Sequence, residues 1–279
     1  MQGPSIIAAS MSQAQPRGKT SAMWQYHSRS DLHSKVACWA VLFDLLGQST
    51  LMQGHAAAGK VVFGVNHELR DFTTGRKKVL DLVIARPVGD PTPETLVELA
   101  DRYDIVLDRS QAAALSALPA LHRAPVGAVL VALEAKAAMT EHVKALPRLY
   151  DELNSSHLTV HGASSQALAV GLVMVNFAST FVSPDLNKVP GAPVVVSRLQ
   201  QPAAATAVID KVKEIPRRAG AGTQGYDGLG IVGISARNDG VSPVLLETAP
   251  PAPQRGDIFF YDNMITRVAH QYDATFSSI

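Results

Sequence analysis

The eight residues Val129-Leu-Val-Ala-Leu-Glu-Ala-Lys136 constrain this chain more than any other segment. The run reads as a buried β-strand, yet it ends on a carboxylate and an ammonium. Side chains alternate faces along a strand, so Leu130, Ala132, Glu134 and Lys136 share one side, while Val129, Val131 and Leu133 share the other. Desolvating two charges at the end of an apolar strand is costly unless something there uses them. A second apolar run, Val79-Leu-Asp-Leu-Val-Ile-Ala85, holds Asp81 in its interior. Asp81, Glu134 and Lys136 together suit a divalent-metal site for phosphodiester chemistry.

Such chemistry needs a nucleophilic water, charge relief on the transition state and help for the leaving oxygen. Carboxylate-held Mg²⁺ supplies these. A lysine beside the metal orients or deprotonates the water and counters developing negative charge. The bland alternative is a strand-end ion pair, with Asp81 matched to Arg86 or Lys136. Glu-x-Lys alone is a common tripeptide, and its weight here comes from its place at the end of an apolar strand.

Length and composition set the frame. The chain has 279 residues, 47% hydrophobic and 18% charged, which describes an ordinary globular protein of one large domain. Its formal net charge of +1 gives no global sign of nucleic-acid binding. Cys38 is the single cysteine, so neither a disulfide framework nor a cysteine zinc site can form within one chain. The N-terminus has no basic region before its short apolar stretch, and no apolar run reaches the length of a membrane span. A cytoplasmic protein with no membrane association and no nucleotide cofactor is the expectation.

Along the chain, residues 1–22 read as a flexible N-terminal arm and 23–279 as a single domain. Ser30 or Asp31 caps a helix over 32–47, stopped by Gly47. Strands follow at 60–66 and 77–85, joined by the turn at Thr73-Thr-Gly75. Helices are expected at 94–103 and from Ser110 to about 121, then the strand at 127–136. A helix starts near Thr140 and either kinks or restarts at Pro147. The tract 167–178 is apolar on both faces and reads as a central strand. After it come a helix at 203–215, a glycine-rich loop over 220–230, strands at 230–235 and 244–247, and a C-terminal helix at 257–273.

This order resembles the PD-(D/E)XK nuclease superfamily, the restriction-endonuclease-like fold with its αβββαβ core. The resemblance spans 32–178 and implies an α/β fold with a mixed sheet flanked by helices, a helical insertion over 87–125 between the Asp81 and Glu134 strands, and a C-terminal extension over 179–279. It implies a Mg²⁺-dependent DNA endonuclease, with Mn²⁺ as a substitute. Asp81 would be the motif aspartate, Glu134 the second acidic ligand, Lys136 the catalytic lysine and the Ala135 carbonyl a further metal ligand. Asp44 and Glu68 are the candidates for an accessory acid. Leu80 stands where the motif has proline. Leu146, four residues before Tyr150, leaves out the Gln-x-x-x-Tyr of recombination-type exonucleases, which favours a restriction-type enzyme. Double-strand cutting would call for a homodimer on double-stranded DNA. The alternatives are a non-catalytic nucleic-acid-binding protein of the same fold and a soluble interaction protein with a structural salt bridge.

Two basic clusters suit phosphate contacts. Arg70, Arg76, Lys77 and Lys78 bracket the turn before the Asp81 strand, and Lys211, Lys213, Arg217 and Arg218 lead into the glycine-rich loop, where Gln224 can read a base edge. The Gly220-Ala-Gly222-Thr-Gln-Gly225 pattern has no strand directly before it and is not read as a dinucleotide site. His157 and His161 are spaced for a helix pair, but the Leu-Thr-Val between them reads as extended. Both are taken as ordinary polar residues.

Overall fold

Six apolar runs hydrogen-bond into one mixed sheet, flanked by helices on both faces, in an α/β arrangement. The computed structural model describes residues 1–16, 23–72, 74–189, 191–220 and 223–279. In chain order the helices are α1 (Gly3–Met11), α2 (Leu32–Gln48), α3 (Thr50–Ala57), α4 (Leu96–Arg102), α5 (Arg109–Ala117), α6 (His142–Ala163), α7 (Ala203–Lys213) and α8 (Tyr261–Thr275). The main-sheet strands are β1 (Val62–Arg70), β2 (Lys77–Pro87), β3 (Val126–Ala138), β4 (Leu168–Asn176), β5 (Gly228–Ser235) and β6 (Leu245–Glu247). Their spatial order is β6-β5-β4-β3-β2-β1.

Strands β1, β2 and β3 form an antiparallel meander, while β3, β4 and β5 run parallel. Parallel neighbours need a crossover, and α6 supplies the one from β3 to β4. Strand β4 is buried at every position, as an interior strand covered on both faces must be. The segment between β2 and β3 carries α4 and α5, and it leaves those two strands paired, with Leu82 opposite Leu133 and Ile84 opposite Val131.

Two apolar layers enclose the sheet. On one side α1, α2 and α8 pack over residues such as Leu82, Val131, Leu133 and Leu172. On the other, α6 and α7 cover Val83, Ala132, Val173 and Leu229. Helix α8 approaches β5 closely because Gly228 and Gly230 have no side chains; a Cβ at Gly228 would stand 2.3 Å from Val268. Among the described residues, no helix is long and apolar enough to cross a membrane.

Several local expectations change. The reading of 1–22 as a loose arm is corrected for its first half: α1 forms there, with Ile6 and Ile7 fully buried against α2. Its first amides end on Asp44, whose Oδ2 accepts from Gly3 N at 2.7 Å and whose Oδ1 accepts from Gln2 N at 3.0 Å. Residues 17–22 lie outside the described residues, as do Thr73 of the expected turn and Gly222 of the glycine pattern. At the start of α2, Asp31 occupies the cap position without a side-chain bond, and it is Ser30 Oγ that accepts from Leu32 N at 3.3 Å. Helix α6 is continuous through Pro147 and does not restart there; the ring removes a single ladder donor near the helix start. It also takes in His157 and His161, so the extended reading of that segment was wrong. The β-branched pair Thr159-Val160 suggested a strand, but the apolar contacts of Leu149, Leu153 and Val160 on one helix face prevail.

Because Ile7 is fully buried, Ile7→Ala is expected to cost about 2–5 kcal/mol, measured by denaturant unfolding. A loose arm would give no change.

Candidate active site

Pairing within the meander is interrupted at Asp81. On one side Val65 pairs with Leu82 and His67 with Leu80, but Asn66, facing Asp81 between them, takes a left-handed φ of 53°. On the other side the β2–β3 register begins only at Leu82–Leu133. The Asp81 carboxylate fills the gap: Ala135 N donates to its Oδ2 at 3.1 Å. Its Oδ1 accepts from Ser34 Oγ at 2.8 Å and from Lys35 Nζ at 2.7 Å, both on α2. Lys35 is 3% exposed within the apolar layer, and its contact with the Asp81 carboxylate is charge-assisted. Sequence reasoning assigned Lys35 no role, because a lysine in the first turn of a helix reads as a solvated position.

Glu134 and Lys136 sit on the α6 side. Lys136 Nζ lies 2.8 Å from Glu134 Oε1 and 3.0 Å from Glu152 Oε2. Lys78 Nζ stands 3.7 Å from Glu134 Oε1 and donates to the Glu152 carbonyl at 2.8 Å. Glu134 is 4% exposed, and its Oε2 has no hydrogen-bond partner among the described residues. Burial pushes the Glu134 carboxyl above the usual carboxylate range; Asp81 adds to that push, and Lys136 and Lys78 oppose it. For Lys136 burial disfavours the charge, but Glu134 and Glu152 outweigh it and hold the ammonium above the ordinary lysine range.

A cleft of about 500 Å³ opens over this end of the sheet. Asp81, Ala135, Lys136 and Glu152 line its floor, and the segment leading into α2, with Tyr26, Arg29 and His33, forms the facing wall. The Tyr26 and His33 rings pack with centroids 4.8 Å apart. Tyr26 is fixed from behind, since its N donates to Asn238 Oδ1 at 2.7 Å and Asn238 Nδ2 donates back to its carbonyl at 3.0 Å.

The oxygen donors here suit Mg²⁺, which takes one or two carboxylates and fills its remaining positions with water and phosphate oxygens. Asp81 lines the cleft with three of its roughly four lone-pair sites already used, and the orphaned Glu134 Oε2 is a buried acceptor that a cation would satisfy. Within a strand the N–H and C=O of a residue point to the same neighbour, so the Ala135 carbonyl faces the Asp81 gap as its N–H does. Among the described residues, no group of three or more His, Cys, Asp or Glu side chains converges on one point.

The other residues singled out from sequence are scattered. Neither candidate accessory acid lines the cleft: Asp44 is spent on the α1 amides, and Glu68 pairs at the surface with Lys77 at 2.8 Å. Lys78 and Arg218 are turned inward and are unsuited to DNA contact. Arg218 donates to the carbonyls of Ser165 and Gly220 and lies 3.6 Å from buried Asp227. Arg76, Lys77, Lys213 and Gln224 are exposed, and Lys211 and Arg217 half-buried. Lys211 and Lys213 pair with Glu214 and Asp257, and Arg217 lies over the Phe259 ring. Glu152 was visible in sequence only as part of a polar helix face.

No protein-family model matches the chain, and no curated protein or solved structure matches it either.

Removing one partner of a buried ion pair leaves an uncompensated charge, so Lys35→Ala is expected to destabilise the fold by about 3 kcal/mol, whereas Lys77→Ala at the exposed Glu68 pair costs less than about 1 kcal/mol. Denaturant titration of both variants measures the difference. A pH dependence follows from His157, which burial, with some help from His161, lowers to about 4. The unfolded imidazole takes a proton near pH 6.5 and the folded one only near 4, so stability that is full above pH 6.5 drains as the pH falls towards 4. His157→Gln should flatten that part of the stability–pH curve; an unchanged slope would show that His157 does not contribute.

Proposed function

We propose that the chain is a divalent-metal-dependent DNA endonuclease of restriction-endonuclease-like fold. The supporting architecture is the run of α2, the β1–β2–β3 meander, α6 and the parallel strand β4, which has the αβββαβ order of that fold. The observation that carries the reading is the hydrogen bond from Ala135 N to Asp81 Oδ2. It brings the motif aspartate to the residue between Glu134 and Lys136, across 54 positions of sequence.

Asp81, Glu134 and the Ala135 carbonyl would hold Mg²⁺ or Mn²⁺. When bound, the metal supplies an activated water and charge relief on the phosphate. Ser34 and Lys35 orient the Asp81 carboxylate beside the cleft. Lys136, held as an ammonium, places positive charge where the scissile phosphate gains negative charge. Arg76, Lys77, Lys211, Lys213, Arg217 and Gln224 remain on the surface for contacts with double-stranded DNA. One such centre per chain calls for a homodimer to cut both strands.

A structural role for these charges is the competing reading. It is favoured by the fact that each is already matched, Asp81 to Lys35 and Glu134 to Lys136. Incubating plasmid and linear DNA with Mg²⁺ or Mn²⁺ separates the two. Wild type is expected to cut, and Asp81→Ala, Glu134→Ala and Lys136→Ala each to lose roughly 100-fold or more in rate. Cutting that survives all three substitutions would overturn the site, and a wild type that neither binds nor cuts DNA would leave the ion-pair reading standing.

A further inference from the structure

We propose that Glu152 is a positioning residue for Lys136: with Glu134 it grips the Lys136 ammonium between helix α6 and strand β3 and holds it at the cleft wall. This deepens the nuclease reading and rests on it for the role of Lys136.

The geometry is specific. Lys136 Nζ has one carboxylate oxygen on each side, Glu134 Oε1 at 2.8 Å and Glu152 Oε2 at 3.0 Å. The second Glu152 oxygen, Oε1, accepts from Arg148 Nε at 2.6 Å, one turn earlier on α6. Lys78 holds the backbone carbonyl of the same residue at 2.8 Å. The Glu152 carboxylate is thus held between Lys136 and Arg148, and its backbone carbonyl is held by Lys78.

The two acids pull in different directions. Glu152 lines the cleft with Asp81, Ala135 and Lys136; Glu134 does not, being buried in the sheet layer behind them. Glu134 alone would draw the ammonium inward, and the Glu152 contact keeps it at the cavity surface. A lysine stem is long and rotamer-rich, so its charge stays at one place only when held at its tip. Small displacements of such a group matter, because misplacement by about 1 Å can cost 10²-fold in rate.

The test compares wild type, Glu152→Gln and Glu152→Asp in steady-state cleavage of plasmid DNA with Mg²⁺. It is paired with ¹³C NMR of the reductively methylated proteins, the Lys136 signal being assigned through Lys136→Arg. Glu152→Gln is expected to lower kcat roughly 10- to 100-fold while KM stays within about twofold, and Glu152→Asp to recover part of the loss. The Lys136 methyl signal should leave its wild-type position in Glu152→Gln, as the ammonium shifts inward towards Glu134. An unchanged kcat, a change in KM alone, or a Lys136 signal that stays put in Glu152→Gln overturns the proposal. If wild type does not cut DNA, the nuclease reading falls, and the NMR signal alone decides whether Glu152 holds Lys136.

Discussion

Where β2 and β3 part, a side chain replaces the backbone. Beyond Leu82–Leu133 no strand partner remains for Ala135 on the β2 side, and its N–H would be orphaned inside the protein at a cost of about 1–3 kcal/mol. Asp81 takes that proton donor, and by doing so accepts a charge into the layer between sheet and helix. Lys35 is the answer to that charge, with Ser34 beside it. The seating of α2 over the meander, the open end of the sheet and the floor of the cleft therefore all meet at one carboxylate.

The charges around it alternate in sign through the thickness of the sheet. On the α2 side the pair is Lys35 with Asp81; on the α6 side Lys78, Glu134, Lys136, Glu152 and Arg148 follow one another. In a low-dielectric interior an unmatched member would be expensive, whereas a fully matched chain is tolerated and rigid. Among the described residues of this chain of charges, the mismatch is Glu134 Oε2, which has no hydrogen-bond partner.

Much of this was legible in the sequence. The adjacency of the Asp81 and Glu134 strands was an expectation of the resemblance; the residues alone showed one charge inside an apolar run and two at the end of another, charges that burial forces to find partners. The α/β order around a sheet followed from the alternation of strand and helix patterns, while the mixed sheet came with the resemblance. What escaped depended on faces of helices. Ile6, Ile7 and Met11 give α1 an apolar side, but Gly, Pro and Ser around them resemble a terminal tail. Lys35 and Glu152 look like solvated positions until the opposing strand is in place. Lys78 and Arg218 look like free cations, because sequence shows charge and not the carbonyls it is spent on.

The excursion through α4 and α5 divides the cleft by history as well as by space. Glu134, Lys136, Glu152 and Arg148 all belong to β3 and the helix directly after it, a local crossover unit whose contacts close over short stretches of chain. Asp81 joins them only when β2 docks, after a long loop has been closed at an entropic cost. During folding, the half of the site that carries Lys136 can assemble while the Asp81 carboxylate is still remote. Local opening of the β2–β3 seam would undo the same contact first, leaving a unit with its lysine still gripped and its aspartate gone.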